Sequence, residues 1–261
     1  MMAGIGALDD FIALGLAPSS GDDRLRLGAV KIVLDGTNGA LNPPQPVLNQ
    51  MVLRAHRARF QVALHAVEEG TLVAGTTALE HALSREPKPH RHRIEHCSVC
   101  PPKLLERLRS LNVVIVTQPS FLFHSGERYL ATVSESQRPW LYRIGSWLRA
   151  GLLVAGSSDA PVVPPDPLPG IYAATTRRAE NGQVVLGEEA VTAAEALAMY
   201  TTGAAYAGFD EKDRGSIRPG KLADLVLLSA DPTAVPAEQI RQIEVERTII
   251  GGIIVWEKTH E

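Results

Sequence analysis

Arg91-His92-Arg93-Ile94-Glu95-His96 is a short extended stretch that ends on a histidine. Two other stretches have the same form. Phe60-Gln61-Val62-Ala63-Leu64-His65 is an apolar run ending on His65, and Leu152-Leu153-Val154-Ala155-Gly156-Ser157-Ser158-Asp159 is one ending on Asp159. Three strands that each carry a metal-type ligand to their C-terminal tip imply a barrel whose chemistry sits at the C-terminal rim.

Outward from these strands an alternation of strand and helix is plain. Gly28 to Asp35 reads as a strand, almost continuously apolar and interrupted by Lys31, followed by a turn over residues 35–39. Continuous apolar runs are typical of parallel strands covered on both faces. Pro46 to Arg59 reads as a helix, Glu68 to Ser84 as another, and Pro101 to Leu111 as a third that opens on prolines, which suit a first helical turn. Val113 to Thr117 is a β-branched strand. A loop is expected over residues 118–139, then a helix from Trp140 to Ala150 closed by Gly151. Leu168 to Glu180 is helical, and so is Thr192 to Tyr206, where Thr192 and Glu195 have capping-box spacing. Residues 7–16 are a short helical candidate.

Repeated βα units imply a parallel sheet. The expected fold is α/β: an incomplete TIM-like barrel with about five strand-helix units over residues 1–208, against the eight of a closed barrel. After Gly208 the pattern changes to turns and short strands. Asp224 to Leu228, Val245 to Ile250 and Ile253 to Trp256 read as strands, the last two joined by a Gly251-Gly252 turn. Residues 209–261 are therefore expected to form a small β module, part of a β-sandwich.

The 261 residues are 45% hydrophobic and 21% charged, with a formal net charge of -3 and no basic block. This excludes the electrostatic footprint of a nucleic-acid or anionic-membrane binder. No stretch approaches the ~20 apolar residues of a membrane span, and the start carries no basic targeting region, so a cytoplasmic location is expected. The two cysteines, Cys97 and Cys100, have Cys-x-x-Cys spacing. A structural zinc needs four ligands and no second such pair exists. A redox role needs a lowered thiol pKa that nothing in the sequence supports.

The chemistry rests on His65, His96 and Asp159. Neighbouring parallel strands lie ~4.8 Å apart, so two tip imidazoles can reach one metal. Asp159 is a ligand or general base. A water acidified by a metal beside a carboxylate is a hydrolytic arrangement. Lys31 lies inside an apolar strand, on the face of Val33 and Asp35. A buried lysine is costly unless paired or neutral. It either takes up carbon dioxide to give an anionic carbamate or pairs with Asp35. His90 and His92 form a His-x-His, but His92 stands ~13 Å back along its strand from His96, at the stability end of a barrel. They read as structural. Gln118 and His124, following the strand that ends at Thr117, are candidate substrate contacts. His56, His81 and His260 carry no signal.

At these residues the chain resembles the C-terminal portion of an amidohydrolase-superfamily enzyme of the amidohydrolase-3 type. The matching motifs are Val30-Lys31-Ile32-Val33-Leu34-Asp35-Gly36, Ala63-Leu64-His65-Ala66, Arg91 to His96, Thr117-Gln118-Pro119, Gly156-Ser157-Ser158-Asp159-Ala160-Pro161-Val162, and Gly215-Ser216-Ile217-Arg218-Pro219-Gly220-Lys221-Leu222-Ala223-Asp224-Leu225. They cover nearly all of the chain in the family's order. The resemblance implies a metal-dependent barrel, with zinc the expected metal, that hydrolyses C–N bonds in amides, formamides or cyclic ureas, or deaminates. It implies Lys31 as a carboxylated bridging lysine, His65 and His96 as metal ligands, and Asp159 as ligand and base. Two departures accompany it. The family's first-strand His-x-His is absent, and Glu68-Glu69 stands where many relatives have Gly-Asp. A chain of this form is expected to act as a homo-oligomer or with a separate N-terminal half. The competing expectation is a non-catalytic subunit.

Overall fold

The computed structural model describes residues 1–22, 24–36 and 39–259. Thr37 and Asn38 of the expected turn, and His260, lie outside the described residues. The chain divides into two compact units. The first comprises residues 1–117, 140–143 and 147–153, and the second 118–139, 144–146 and 154–261.

The first unit is a run of βα repeats. In order it contains β1 (Ala3–Gly4), α1 (Leu8–Ala13), β2 (Val30–Val33), α2 (Gln45–Arg57), β3 (Val62–Ala66), α3 (Glu69–Arg85), β4 (Arg93–His96), α4 (Pro102–Ser110) and β5 (Val114–Thr117). Every adjacent strand pair in it is parallel. With β6 (Leu153–Gly156), six strands stand in chain order in one sheet. The two-residue β1 adds a strand that the sequence reading did not include; Ala3 and Gly4 are too short a run to show a period.

Register sorts the side chains into layers. Ile32, Leu64, Ile94 and Ile115 stand level with one another and all are at most 2% exposed. Helix α3 packs on this face through Gly75, where an added Cβ would lie 3.2 Å from both Leu34 and Leu64. The opposite face carries the polar residues, because strand side chains alternate. Lys31, Ala63, Arg93 and Val114 form one level there, and Val33, His65, Glu95 and Val116 the next toward the C-terminal tips.

The second unit holds α5 (Ser120–Thr132), most of β6, α7 (Leu168–Thr176), α8 (Ala193–Ala198), α9 (Ala204–Ala207) and the antiparallel strands β7 (Leu225–Leu228), β8 (Val245–Ile250) and β9 (Ile253–Glu257). Helix α6 (Ile144–Arg149) precedes β6. The expected β module is a three-stranded sheet in the order β7-β8-β9. Gly251 and Gly252 turn the hairpin with φ of 57° and 82°, the left-handed pair a tight two-residue turn requires.

Two local expectations are corrected. Residues 118–139 are not a loop: α5 occupies thirteen of them. Gly126 sits mid-helix, where its missing Cβ makes room for Ala179; a Cβ added at Gly126 would lie 2.9 Å from that of Ala179. The helix expected from Trp140 to Ala150 is shorter, since Tyr142 takes a left-handed φ of 43° and α6 begins only at Ile144. The capping box at Thr192 and Glu195 is present in full, and the helix it starts passes through a π-helical turn at Met199–Gly203 before α9.

Candidate metal centre and its surroundings

His65 lies in β3 on the polar face of the sheet. His96 ends β4, and strict alternation would give it the face of Ile94, the one the helices cover. The backbone prevents this. His96 has φ of 71° and Cys97 φ of 54°, so the chain leaves the extended conformation at the tip. The His96 ring stands edge-on to His65, with centroids 4.5 Å apart. A non-glycine residue held left-handed costs on the order of 1–3 kcal/mol and persists where its surroundings enforce it. Here Thr117 donates its hydroxyl hydrogen to the His96 carbonyl at 2.9 Å, and Cys97 N–H reaches the Ala66 carbonyl at 3.1 Å. His96 is 4% exposed, while His65 is half-buried.

Lys31, half-buried, shares the polar face with His65, one level below it. Glu95 stands level with His65 but is engaged elsewhere. Its carboxylate is 2.6 Å from Arg93 Nε, both side chains being nearly buried. Among the described residues no three His, Cys, Asp or Glu side chains converge closely enough to hold an ion by themselves.

In the second unit, Asp159 is exposed and also left-handed, with φ of 56°. Asp is one of the few residues that tolerates this conformation. Gln118, 1% exposed, donates from Nε2 to Ser157 Oγ at 2.8 Å. His124 lies exposed on α5. The structure thus brings His65 and His96 together in the first unit, and places Asp159, Gln118 and His124 in the second.

His90 and His92 belong to a different arrangement, at the start of β4. Val62 N–H donates to His92 Nδ1 at 3.0 Å, which fixes the other His92 nitrogen as the protonated one. That nitrogen meets His56 Nδ1 at 2.8 Å, and His56 Nε2 meets the Glu86 carbonyl at 2.8 Å. The relay is complete only if both imidazoles are neutral. Burial, reinforced by the neighbouring histidines, holds His92 well below the usual imidazole range, and burial likewise lowers His56. His56 was missed in the sequence. Its signal was spacing: it falls four residues after Val52 on the buried stripe of α2.

Cys97 and Cys100 form no disulfide and are fully buried. Burial, with a hydrogen bond to Cys100, pushes the Cys97 thiol well up, the reverse of what a reactive thiol needs.

The chain is similar to several known proteins. The model of the amidohydrolase family matches residues 3–256. A Bacillus subtilis (strain 168) protein named "Putative amidohydrolase YtcJ" is 30% identical over 257 residues, covering 90% of this chain and 48% of its own length. The N-substituted formamide deformylase of Arthrobacter pascens is 29% identical, covering 81% of this chain and 39% of its own. An uncharacterized metal-dependent hydrolase from Pyrococcus horikoshii OT3 superposes with a TM-score of 0.76 at 26% identity, covering 90% of this chain and 51% of that one. The chain therefore spans about half the length, or less, of the curated relatives it matches.

Proposed function

The chain belongs to the amidohydrolase family, and from that membership we propose that it contributes to metal-dependent hydrolysis of a C–N bond in a small amide, formamide or cyclic amide, or to a deamination. The observation that carries this reading is the His65–His96 pair, held at 4.5 Å by a left-handed backbone at the tip of β4. Two imidazoles on adjacent strand tips are a donor set that a divalent cation such as zinc accepts. A fuller set calls on a residue type beyond His, Cys, Asp and Glu, and Lys31 is the candidate on the same sheet face. As a carbamate it would present two oxygens that share one negative charge. In this proposal His65, His96, Lys31 and Asp159 would hold the cation.

A bound divalent cation supplies Lewis acidity, polarising the scissile carbonyl and acidifying water. The protein's own groups do the rest. Asp159 takes the proton from the attacking water and returns it to the leaving nitrogen. Gln118 and His124 orient the substrate. Thr117 keeps His96 in its left-handed setting. Residues 1–208 would form the catalytic part and 209–261 the sandwich part. Two cysteines that form no disulfide suit a reducing, cytoplasmic compartment.

The formamide deformylase among the relatives makes N-formyl amines the first substrates to try. The test is zinc content and turnover of N-formylaniline by the zinc-loaded chain and by His96→Asn. Near-stoichiometric zinc, with turnover lost in the variant, is expected. No zinc retention in the wild type, with turnover equal in both, would overturn the reading.

A second reading, a subunit that needs another polypeptide, is favoured by Val33. It stands level with His65 on the polar face and is 59% exposed. A homo-oligomer or an N-terminal half would cover it. Turnover by the chain at concentrations where it sediments as a monomer would remove this reading.

A further inference from the structure

The second unit contains a cavity of about 320 Å³ between α5 and the segment that follows Asp159. From α5 it is lined by His124, Ser125, Arg128 and Tyr129, and from the following segment by Val162 and Val163. Both walls are anchored beside candidate site residues. Val162 N–H donates to the Asp159 carbonyl at 3.0 Å. Helix α5 follows Gln118 by two residues; the Gln118 carbonyl accepts from Phe121 N–H at 3.0 Å and its side-chain amide donates to Ser157.

The lining has one sign of charge. It contains no acidic side chain. Among the described residues no carboxylate pairs with Arg128, whose guanidinium lies over the Tyr129 ring at 5.2 Å. Another cavity, of about 490 Å³ in the first unit, differs in this respect. Its Arg54 and Arg57 are committed to Asp9 and Glu86. A guanidinium left without a counter-ion, over an aromatic ring and beside a valine wall, is matched by a flat apolar group that bears a carboxylate.

We propose that this cavity is a specificity subsite for the reaction, and that Arg128 selects substrates carrying an acidic substituent on an apolar or aromatic group. The inference rests on the hydrolase reading above and adds the substrate class. Arg128 is a substrate-binding residue here, and His124 and Ser125 supply further donors to the same carboxylate.

Two measurements separate this subsite from the hydrolase reading. In calorimetry, benzoate binds the wild-type chain about tenfold or more tighter than its neutral isostere benzamide. Arg128→Gln removes the difference and Arg128→Lys restores part of it. In turnover, N-formyl-4-aminobenzoate is preferred to N-formylaniline through KM, and Arg128→Gln abolishes that preference. Equal binding of benzoate and benzamide, or a benzoate preference that survives in Arg128→Gln, overturns the subsite even if both formamides are hydrolysed. Arg128-dependent benzoate binding without hydrolysis of either compound supports the carboxylate site and overturns the hydrolase reading instead.

Discussion

His96 and Asp159 are both candidate site residues, and both hold a left-handed backbone that only a few residue types accept readily. That shared feature gives a clean substitution at each. Asn tolerates the left-handed region as Asp does, so Asp159→Asn keeps the turn and removes the carboxylate proposed as ligand and base. It is expected to lower kcat by about a hundredfold or more, with the urea midpoint unchanged. An equal loss of kcat and of stability would mean that Asp159 holds the turn rather than the proton. The His56–His92 relay makes a separate prediction. Both groups are neutral when folded, with pKa values below the ordinary 6.5, because burial disfavours their charged forms. Lys88 disfavours charge on both, His90 does so on His92, and Glu86 partly offsets this at His56. In the unfolded chain each histidine takes up a proton near pH 6.5. The unfolded state therefore binds more protons as pH falls below about 6.5, and stability is lost from there down to the folded pKa values. The slope approaches about 1.4 kcal/mol per pH unit for each histidine kept neutral. Urea midpoints from pH 8 to pH 5 check this. A profile that is flat, or equally steep in His92→Gln, would dispose of the relay.

At the scale of elements, what was legible in the sequence is what has a period or a punctuation mark. The strands ending at His65, His96 and Gly156 were visible as apolar runs, the prolines and Thr192 marked helix starts, and Gly251-Gly252 marked the hairpin. Helix α5 was not legible, because Gly126 and the polar residues around it imitate a loop. What overrides them is packing against Ala179 and Val185, residues more than fifty positions later. His56 was hidden for a similar reason: its partners, His92 and the Glu86 carbonyl, are distant in sequence. The orientation of His96 was hidden as well, since alternation alone assigns it to the other face. Gly126 supplies the test at this scale. Alanine there gains about 1 kcal/mol of helix propensity, but its Cβ would lie 2.9 Å from Ala179 and 3.1 Å from Val185. Neither neighbour is the far end of a flexible chain. Overpacking typically costs about 1–3 kcal/mol, so Gly126→Ala is expected to lower the urea midpoint. A stabilised variant would show that the α5 interface is loose.

For the molecule as a whole, the surface of the β7-β8-β9 sheet is the feature that a self-contained fold does not require. In β9, Ile253 is 69% exposed, Ile254 49%, Val255 54% and Trp256 49%. Consecutive residues point to opposite faces, so β9 presents apolar side chains on both sides and an unpaired edge as well. Val226 and Leu227 of β7 and Ile250 of β8 add to this surface. Apolar patches with an open strand edge are the usual template for association. Surface charge offsets this only in part, through pairs such as Arg247 with Glu257 across β8 and β9. In a purified preparation the surface available to cover this sheet is a second copy of the same chain. Sedimentation velocity is therefore expected to show mass rising with concentration. Ile254→Lys with Trp256→Lys places a charge on each face, since the two pair with consecutive residues of β8, Ile249 and Thr248, and is expected to shift the chain toward monomer, with its circular dichroism retained. A wild-type chain that stays monomeric at high concentration, or a double variant that associates as strongly, would show that the sheet is tolerated bare.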